Sequence, residues 1–230
     1  MDPLYKRTEL VMSKKTLILG ATGRTGKLLL GQMLNRDYKV NVLIRDKERI
    51  VMHQNMSVFE GTPIDEKALE KAIEGCDVII SALNISRTCD FPWAPLRTQP
   101  DFLSQTLSNV VTVGTGLGVK RVIILSAWGV GHTKSDIPWW FKWLIDYSNI
   151  GVAYRDHERQ EKLLADSGMD YTIIRPVGLI NSETEKNVLV SLNNAPKPGL
   201  TISRKNVARF IISILENDWY INQTPVIFTK

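Results

Sequence analysis

Residues 15–26 read Lys-Thr-Leu-Ile-Leu-Gly-Ala-Thr-Gly-Arg-Thr-Gly, and Lys27-Leu28-Leu29-Leu30 follow. The apolar run predicts a strand, the glycines a tight turn, and the leucines the opening of a helix. A glycine has no Cβ, so the chain can turn sharply there and a pyrophosphate can approach the backbone. The helix N-terminus then offers unpaired N–H groups to the anion. The three-residue spacing departs from G-x-G-x-x-G, so the weight of the reading falls on the strand before the turn and the helix after it. Gly20, Thr22, Gly23, Arg24, Thr25 and Gly26 are the candidate cradle of a dinucleotide; an ordinary βα turn is the competing reading.

Apolar runs and turn signals alternate on either side of this stretch. Strands are expected at 16–19, 39–44, 57–60, 78–82, 121–125 and 171–175, with helices at 25–36, 65–74, 101–117 and 154–167. Asp65 stands where a helix start is capped, and Gly75 and Gly168 where helices end. Repeated β-α-β units with short apolar strands predict an α/β fold, a Rossmann-type doubly wound parallel sheet with helices on both faces. Beyond Pro176 come a loop, an apolar stretch at 187–192, a Pro/Gly-rich segment, a helix at 204–216 and a last strand at 225–228, read as a small C-terminal substrate-facing lobe on the same sheet. Residues 15–230 thus form one domain, and residues 1–14 are read as a loose leader.

With 43% hydrophobic and 23% charged residues among 230, the composition is that of a globular chain rather than a disordered one. The net charge of +5 comes from scattered Lys and Arg, which fits a phosphate-bearing ligand better than a nucleic-acid surface. No segment approaches the ~20 apolar residues of a membrane span, and the polar first residues lack a signal-peptide core. Cys76 and Cys89 make neither a disulfide scaffold nor a metal-ligand pattern, so no metal is expected and a reducing cytoplasm is the natural setting.

An acidic residue about 20 positions past the turn holds the ribose 2′-OH of NAD, whereas an arginine there suits the 2′-phosphate of NADP. Arg45 follows the second strand nineteen positions after Gly26, with Lys47 and Arg49 near it and Arg24 inside the turn. This cluster favours NADP(H), because a guanidinium offers phosphate a planar fork of donors. Asp46 is the counter-argument, since a shift of one residue puts a carboxylate at the ribose.

Ligands in such sheets lie outside the carboxyl ends of the strands. Leu83 and Asn84 after the fourth strand, Ser126 and Trp128 after the fifth, and Pro176 and Val177 after the sixth are expected to converge there with the glycine turn. Ser126 is the polar candidate, able to donate to a substrate carbonyl or to the nicotinamide carboxamide; a serine that caps the following loop is the alternative.

The stretches Gly20-Ala-Thr-Gly-Arg-Thr-Gly26, Val42-Leu-Ile-Arg-Asp46, Val122-Ile-Ile-Leu-Ser-Ala127 and Ser167-Gly-Met-Asp-Tyr-Thr-Ile-Ile-Arg-Pro176 resemble the landmarks of the atypical NAD(P)-binding branch of the short-chain dehydrogenases. Within it the chain looks most like the flavin reductase and biliverdin-IXβ reductase group, with NmrA-like proteins further off. The resemblance implies NADPH along the strand ends and a flat conjugated acceptor on its nicotinamide, a flavin being a substrate rather than a bound group. It also implies a role in proton supply or substrate contact for His157, which a helical pattern places on one face with Gln160 and Leu164. A buried histidine paired with Asp156 or Glu161 is the alternative. One landmark is missing. Where the superfamily carries Tyr-x-x-x-Lys, about 10–14 residues after the serine, this chain reads Ile137-Pro-Trp-Trp-Phe-Lys-Trp143, and neither Tyr147 nor Tyr154 restores the pair. A second histidine that the group can carry after the proline is replaced by Val177.

The Pro-rich stretch from Phe91 to Pro100 is too proline-dense for a helix or a central strand, and places Trp93 as one wall of the substrate cleft. Trp139, Trp140, Phe141 and Trp143 serve as packing on the core, as a lid over a flat ligand, or as a surface for a protein partner, packing being the commonest use. The expected activity is NADP(H)-dependent hydride transfer to a planar small-molecule acceptor such as a flavin, quinone or tetrapyrrole. The alternative is a non-catalytic NADP(H) sensor that reaches a protein partner through the 139–143 patch.

Overall fold

A computed structural model describes residues 14–230, so all of the expected leader except Lys14 lies outside the described residues. The chain runs β1 (Thr16–Leu19), α1 (Arg24–Leu34), β2 (Val40–Ile44), β3 (Met56–Glu60), α2 (Glu66–Ile73), β4 (Val78–Ser81), α3 (Phe102–Gly116) and β5 (Arg121–Leu125). It continues through α4 (Trp139–Tyr147), α5 (Ile150–Ala165), β6 (Asp170–Pro176), β7 (Gly178–Ile180), β8 (Leu189–Ser191), β9 (Thr201–Ser203), α6 (Arg204–Asn217) and β10 (Val226–Phe228).

The main sheet has the order β3-β2-β1-β4-β5-β6-β10-β8. Every neighbouring pair is parallel except the edge pair β10–β8. Successive strand residues face opposite sides, and each side is covered. Ile18, Val42 and Ile80 join Leu29 and Met33 of α1 and Ile211 of α6 in one apolar layer. Leu17, Leu19 and Ile79 join Leu69 of α2, Leu107 of α3 and Leu164 of α5 in the other. This is the expected Rossmann-type sheet with helices on both faces. Among the described residues, no helix is long and apolar enough to cross a membrane.

The expected punctuation is visible at the helix ends. Asp65 accepts from the Lys67 and Ala68 amides at the start of α2, and Gly75 (φ +72°) and Gly168 (φ +75°) follow helix ends in the left-handed region. Two parts of the chain differ from expectation. Residues 178–180, read as loop, form β7 and pair in parallel with β9, so the C-terminal lobe carries a two-stranded sheet of its own. Residues 139–147 form a helix, α4, whose only buried residue is Ile145.

At the glycine turn, Gly20 has φ +82°, and a Cβ on Gly26 would stand 2.1 Å from the Gly20 carbonyl oxygen. The start of α1 therefore lies directly against the end of β1. Gly26→Ala is expected to lower unfolding free energy by about 1–3 kcal/mol, as overpacking against backbone does. At Gly31, on the exposed side of the same helix, an added Cβ meets nothing within 4 Å. Gly31→Ala is expected to raise stability by roughly 0.5–1 kcal/mol through helix propensity. Urea unfolding of both variants checks the pair; a neutral Gly26→Ala would remove the close approach as a constraint.

Candidate functional site

The first turn of α1 carries no acidic residue, and its N-cap, Gly23, supplies no side-chain bond. Orphan amides of that turn are consequently free for an anion. The turn opens into a cleft of about 790 Å³ along the carboxyl ends of the strands. Of the expected cradle, Gly20, Thr22, Gly23, Arg24 and Thr25 line this cleft, together with Arg45, Leu83 and Asn84. Gly26 stands behind them, packed on Gly20. Close packing of the turn, the uncapped helix start and the basic lining fit a dinucleotide.

Sequence reasoning missed several cleft residues. Gly61, Thr62 and Pro63, after β3, form the far wall beside Arg45; Arg87 and Asp90 come from the loop after β4, and Leu179 and Arg204 from the C-terminal lobe. Asp90 binds Arg24 through both carboxylate oxygens at 3.0 Å each. That bond holds the Asp90 carboxyl below the usual carboxylate range. The pair is exposed, so it adds little to stability. The turn, Arg45, Leu83 and Asn84 carried a sequence signal; the residues missed arrive from loops distant in the chain.

Ser126, Pro176, Val177 and Trp128 are buried at the ends of β5 and β6 and do not line the cleft. The Ser126 hydroxyl donates to Glu161 Oε1 at 2.5 Å. Arg175 holds the same carboxylate through Nε at 3.0 Å and Nη2 at 2.5 Å. An ion-paired carboxylate only accepts, so the single hydroxyl proton of Ser126 is committed to Glu161. The expectation that Ser126 donates to a carbonyl is corrected accordingly: its oxygen has lone pairs to offer, not a proton. Arg175 also meets His132 Nε2 at 3.3 Å.

His157, Gln160 and Leu164 are buried on one face of α5, as the spacing predicted. The partner of His157 is neither Asp156 nor Glu161. Gln160 Nε2 lies 2.6 Å from His157 Nδ1 and 3.3 Å from the Leu125 carbonyl. Both amide hydrogens are then used, which makes Nδ1 an acceptor and the imidazole neutral. Burial pushes its pKa down to about 4. At neutral pH this ring holds no extra proton to deliver, which corrects the expected role in proton supply. Asp156, fully buried, instead accepts from the Leu103 amide at 2.7 Å and the Ser104 hydroxyl at 2.5 Å, capping α3 from outside its own sequence. Tyr154 donates to the Trp128 carbonyl at 3.2 Å, and burial raises its phenol further. It supplies no base.

Of the aromatic residues, Trp139 is 80% exposed, Trp140 50% and Trp143 51%. Core packing, the commonest use of such a cluster, is overturned for these three; only Phe141 packs inward, edge-on to Tyr154. The physical reason is the shortness of α4, which spends its one fully buried position on Ile145. Trp93 lies beside Trp143, and its indole N–H donates to the Tyr147 carbonyl at 2.7 Å, so it walls α4 rather than the cleft.

Residues 20–218 match the model of a family described as NAD(P)H-binding. The chain belongs to this NAD(P)H-binding family. Among its relatives, sanguinarine reductase of Eschscholzia californica is 27% identical over 243 residues, 89% of this chain and 85% of that protein. Reductase pytE of Aspergillus terreus is 23% identical over 247 residues, 88% of this chain and 92% of that protein. In fold, the chain is similar to a short-chain dehydrogenase/reductase of Veillonella parvula solved in complex with NADP (TM-score 0.77, 22% identity, 94% of each chain). It is equally similar to ChuY, an anaerobillin reductase of Escherichia coli O157:H7 (TM-score 0.77, 21% identity, 94% of this chain and 97% of that one).

The neutral, buried His157 has a consequence for acid stability. The unfolded chain protonates histidine near pH 6.5, whereas the folded chain resists protonation down to about pH 4. Stability present above pH 6.5 is therefore lost as pH falls toward 4, by ~3 kcal/mol from this group. Urea unfolding between pH 7 and 4 is expected to show a shallower loss in His157→Gln than in the parent. Equal slopes would mean that this ring titrates normally in the folded protein.

Proposed function

We propose that this protein is an NADPH-dependent reductase that passes hydride to a flat conjugated acceptor, a flavin, quinone or tetrapyrrole, as in the flavin reductase and biliverdin-IXβ reductase group. The observation that carries the reading is one cleft that is phosphate-ready at the glycine turn and Arg45, and apolar toward Leu83, Ile85, Phe102 and Leu179. NADPH, when bound, supplies the hydride. Thr22 to Thr25 would hold its pyrophosphate at the start of α1, and Arg45 would face the 2′-phosphate. Leu83 and Leu179 would shield the reacting faces from water and pack against a flat acceptor. The three acids that the sequence suggested are engaged elsewhere: Ser126 gives its proton to Glu161, His157 is neutral, and Tyr154 is bound to a carbonyl. An acceptor that takes its protons from water suits such a site, which supports a flavin-like acceptor over an ordinary ketone. Relatives named as reductases support the same direction.

The exposed tryptophans of α4 favour a second reading, an NmrA-like NADP(H) sensor that reports to a protein partner through the 139–143 patch. One assay separates the two. Purified protein, NADPH and a panel of FMN, FAD, quinones and a linear tetrapyrrole are mixed under low oxygen, and NADPH oxidation is followed at 340 nm, roughly the nicotinamide absorbance band. Turnover of at least one acceptor is expected; tight NADPH binding without turnover of any would leave the sensor reading standing. For Arg45→Ala, NADPH affinity is expected to fall about tenfold, equivalent to ~1.4 kcal/mol, with little change for NADH. Equal losses for both nucleotides would contradict the NADP preference.

A further inference from the structure

The loop after β4 folds back on itself. The Thr88 amide donates to the Pro95 carbonyl at 2.9 Å and the Arg97 amide to the Ser86 carbonyl at 2.8 Å, with Arg87 and Leu96 bridged antiparallel between them. Residues 86–97 thus form a hairpin whose tip carries Asp90 and Trp93. That tip is fastened on two sides. Asn149, between α4 and α5, donates through Nδ2 to the Trp93 and Ala94 carbonyls at 3.0 Å each, and Trp93 Nε1 donates to the Tyr147 carbonyl at 2.7 Å. On the other side Asp90 holds Arg24, the first residue of α1. The hairpin is therefore a strap between α4 and the glycine turn, and its first flank, Ser86 to Asp90, lines the cleft.

Asp90 is the one acidic residue lining that cleft among the described residues, against Arg24, Arg45, Arg87 and Arg204. The charges of Arg24, Arg87 and the buried Arg204 all act on its carboxylate. A phosphate arriving at the start of α1 is drawn to the same place, because Arg24 stands in that first turn. Asp90 engages both Nη donors of Arg24 in the fork geometry that a phosphate uses. Two oxyanions competing for those two donors also repel each other. Both side chains of the pair are largely exposed, so an exchange of partners costs little: Arg24 trades one oxyanion for another, and Asp90 turns to water.

We propose that Asp90 is a built-in competitor for the nucleotide: its carboxylate holds Arg24 in the empty cleft, yields it to a phosphate of NADP(H), and reclaims it as the nucleotide leaves. The proposal rests on NAD(P)H binding at the glycine turn. Its effect is to loosen the bound nucleotide and speed its release, since Arg24 passes back to Asp90 and is not left unpaired. A reductase that exchanges NADP⁺ for NADPH at every turnover is served by such a contact. The bonds of Asn149 and Trp93 do not involve the pair, so the hairpin keeps its second fastening when Asp90 lets go.

The test is direct binding of NADPH, read by its own fluorescence at low ionic strength, where screening is weak. Asp90→Asn keeps the shape of the side chain and removes its charge. It is expected to bind NADPH about three- to fivefold more tightly than the parent, the range of an exposed ion pair, with the gain in slower dissociation when excess NADP⁺ chases the bound NADPH. In an Arg24→Gln background the same change is expected to lose most of that gain, because there is no guanidinium left to compete for. Weaker binding by Asp90→Asn would mean that the pair closes over the bound nucleotide, and an unchanged affinity that it takes no part; either overturns the proposal. An equal gain in the Arg24→Gln background would also overturn it, since Asp90 would then act through its field alone. If the parent binds no NADPH, the nucleotide site itself is misassigned, and the proposal falls with it. The exposed pair adds little to stability, so unfolding in urea is expected to match the parent, and Asp90→Ser replaces Asp90→Asn if that variant unfolds early.

Discussion

Gly26 touching the Gly20 carbonyl is the contact on which the remaining geometry hangs. With no side chain between them, α1 drops onto the end of β1, and its buried face, Leu29, Leu30 and Met33, reaches the layer shared with α6. The same approach aims the uncapped start of α1 into the cleft. A methyl group at position 26 would have to push the helix outward, changing both the packing of that layer and the direction of the amides. Fold and ligand site are one constraint at this point, which is why the turn is informative about both.

The second organising element is α5, whose inward face is unusually polar. Asp156, His157, Gln160 and Glu161 are all buried there: His157 pairs with Gln160 on the same helix, and the other three find partners elsewhere in the chain, at the start of α3, at the Leu125 carbonyl at the end of β5, and at Ser126 and Arg175 at the ends of β5 and β6. Breaking one partner of a buried pair such as Glu161–Arg175 typically costs about 3–5 kcal/mol, because the remaining charge has no water to turn to. These bonds hold the strand ends in register with the helix. They also consume the proton-bearing groups that the sequence offered for catalysis. The chain's part in the proposed reaction is therefore to bind, orient and exclude water.

Charge follows a similar pattern. Lys and Arg are scattered along the sequence, yet Arg24, Arg45, Arg87 and Arg204 meet in one cleft against a single aspartate. The mild net charge of +5 conceals that concentration. A cleft so lined draws anionic ligands, and its walls of lower polarity strengthen the attraction.

What could be read from the sequence was what depends on neighbours along the chain. The strand–glycine–helix turn at 15–30, the Asp65 cap, the glycine stops and the alternating apolar strands are local rules, and the sheet and the dinucleotide cradle follow from them. The face of α5 was legible too, since helical spacing alone places His157, Gln160 and Leu164 together. Which partners those side chains meet was not, because hydrogen bonds between residues 126 and 161 or 103 and 156 carry no periodic signal. The exposure of Trp139 and Trp143, the burial of Arg204 and the engagement of Ser126 were decided only when separate segments packed. Local sequence determines backbone conformation through sterics and capping. Solvation and pairing of a side chain are properties of everything packed around it, and only the tertiary structure supplies those neighbours.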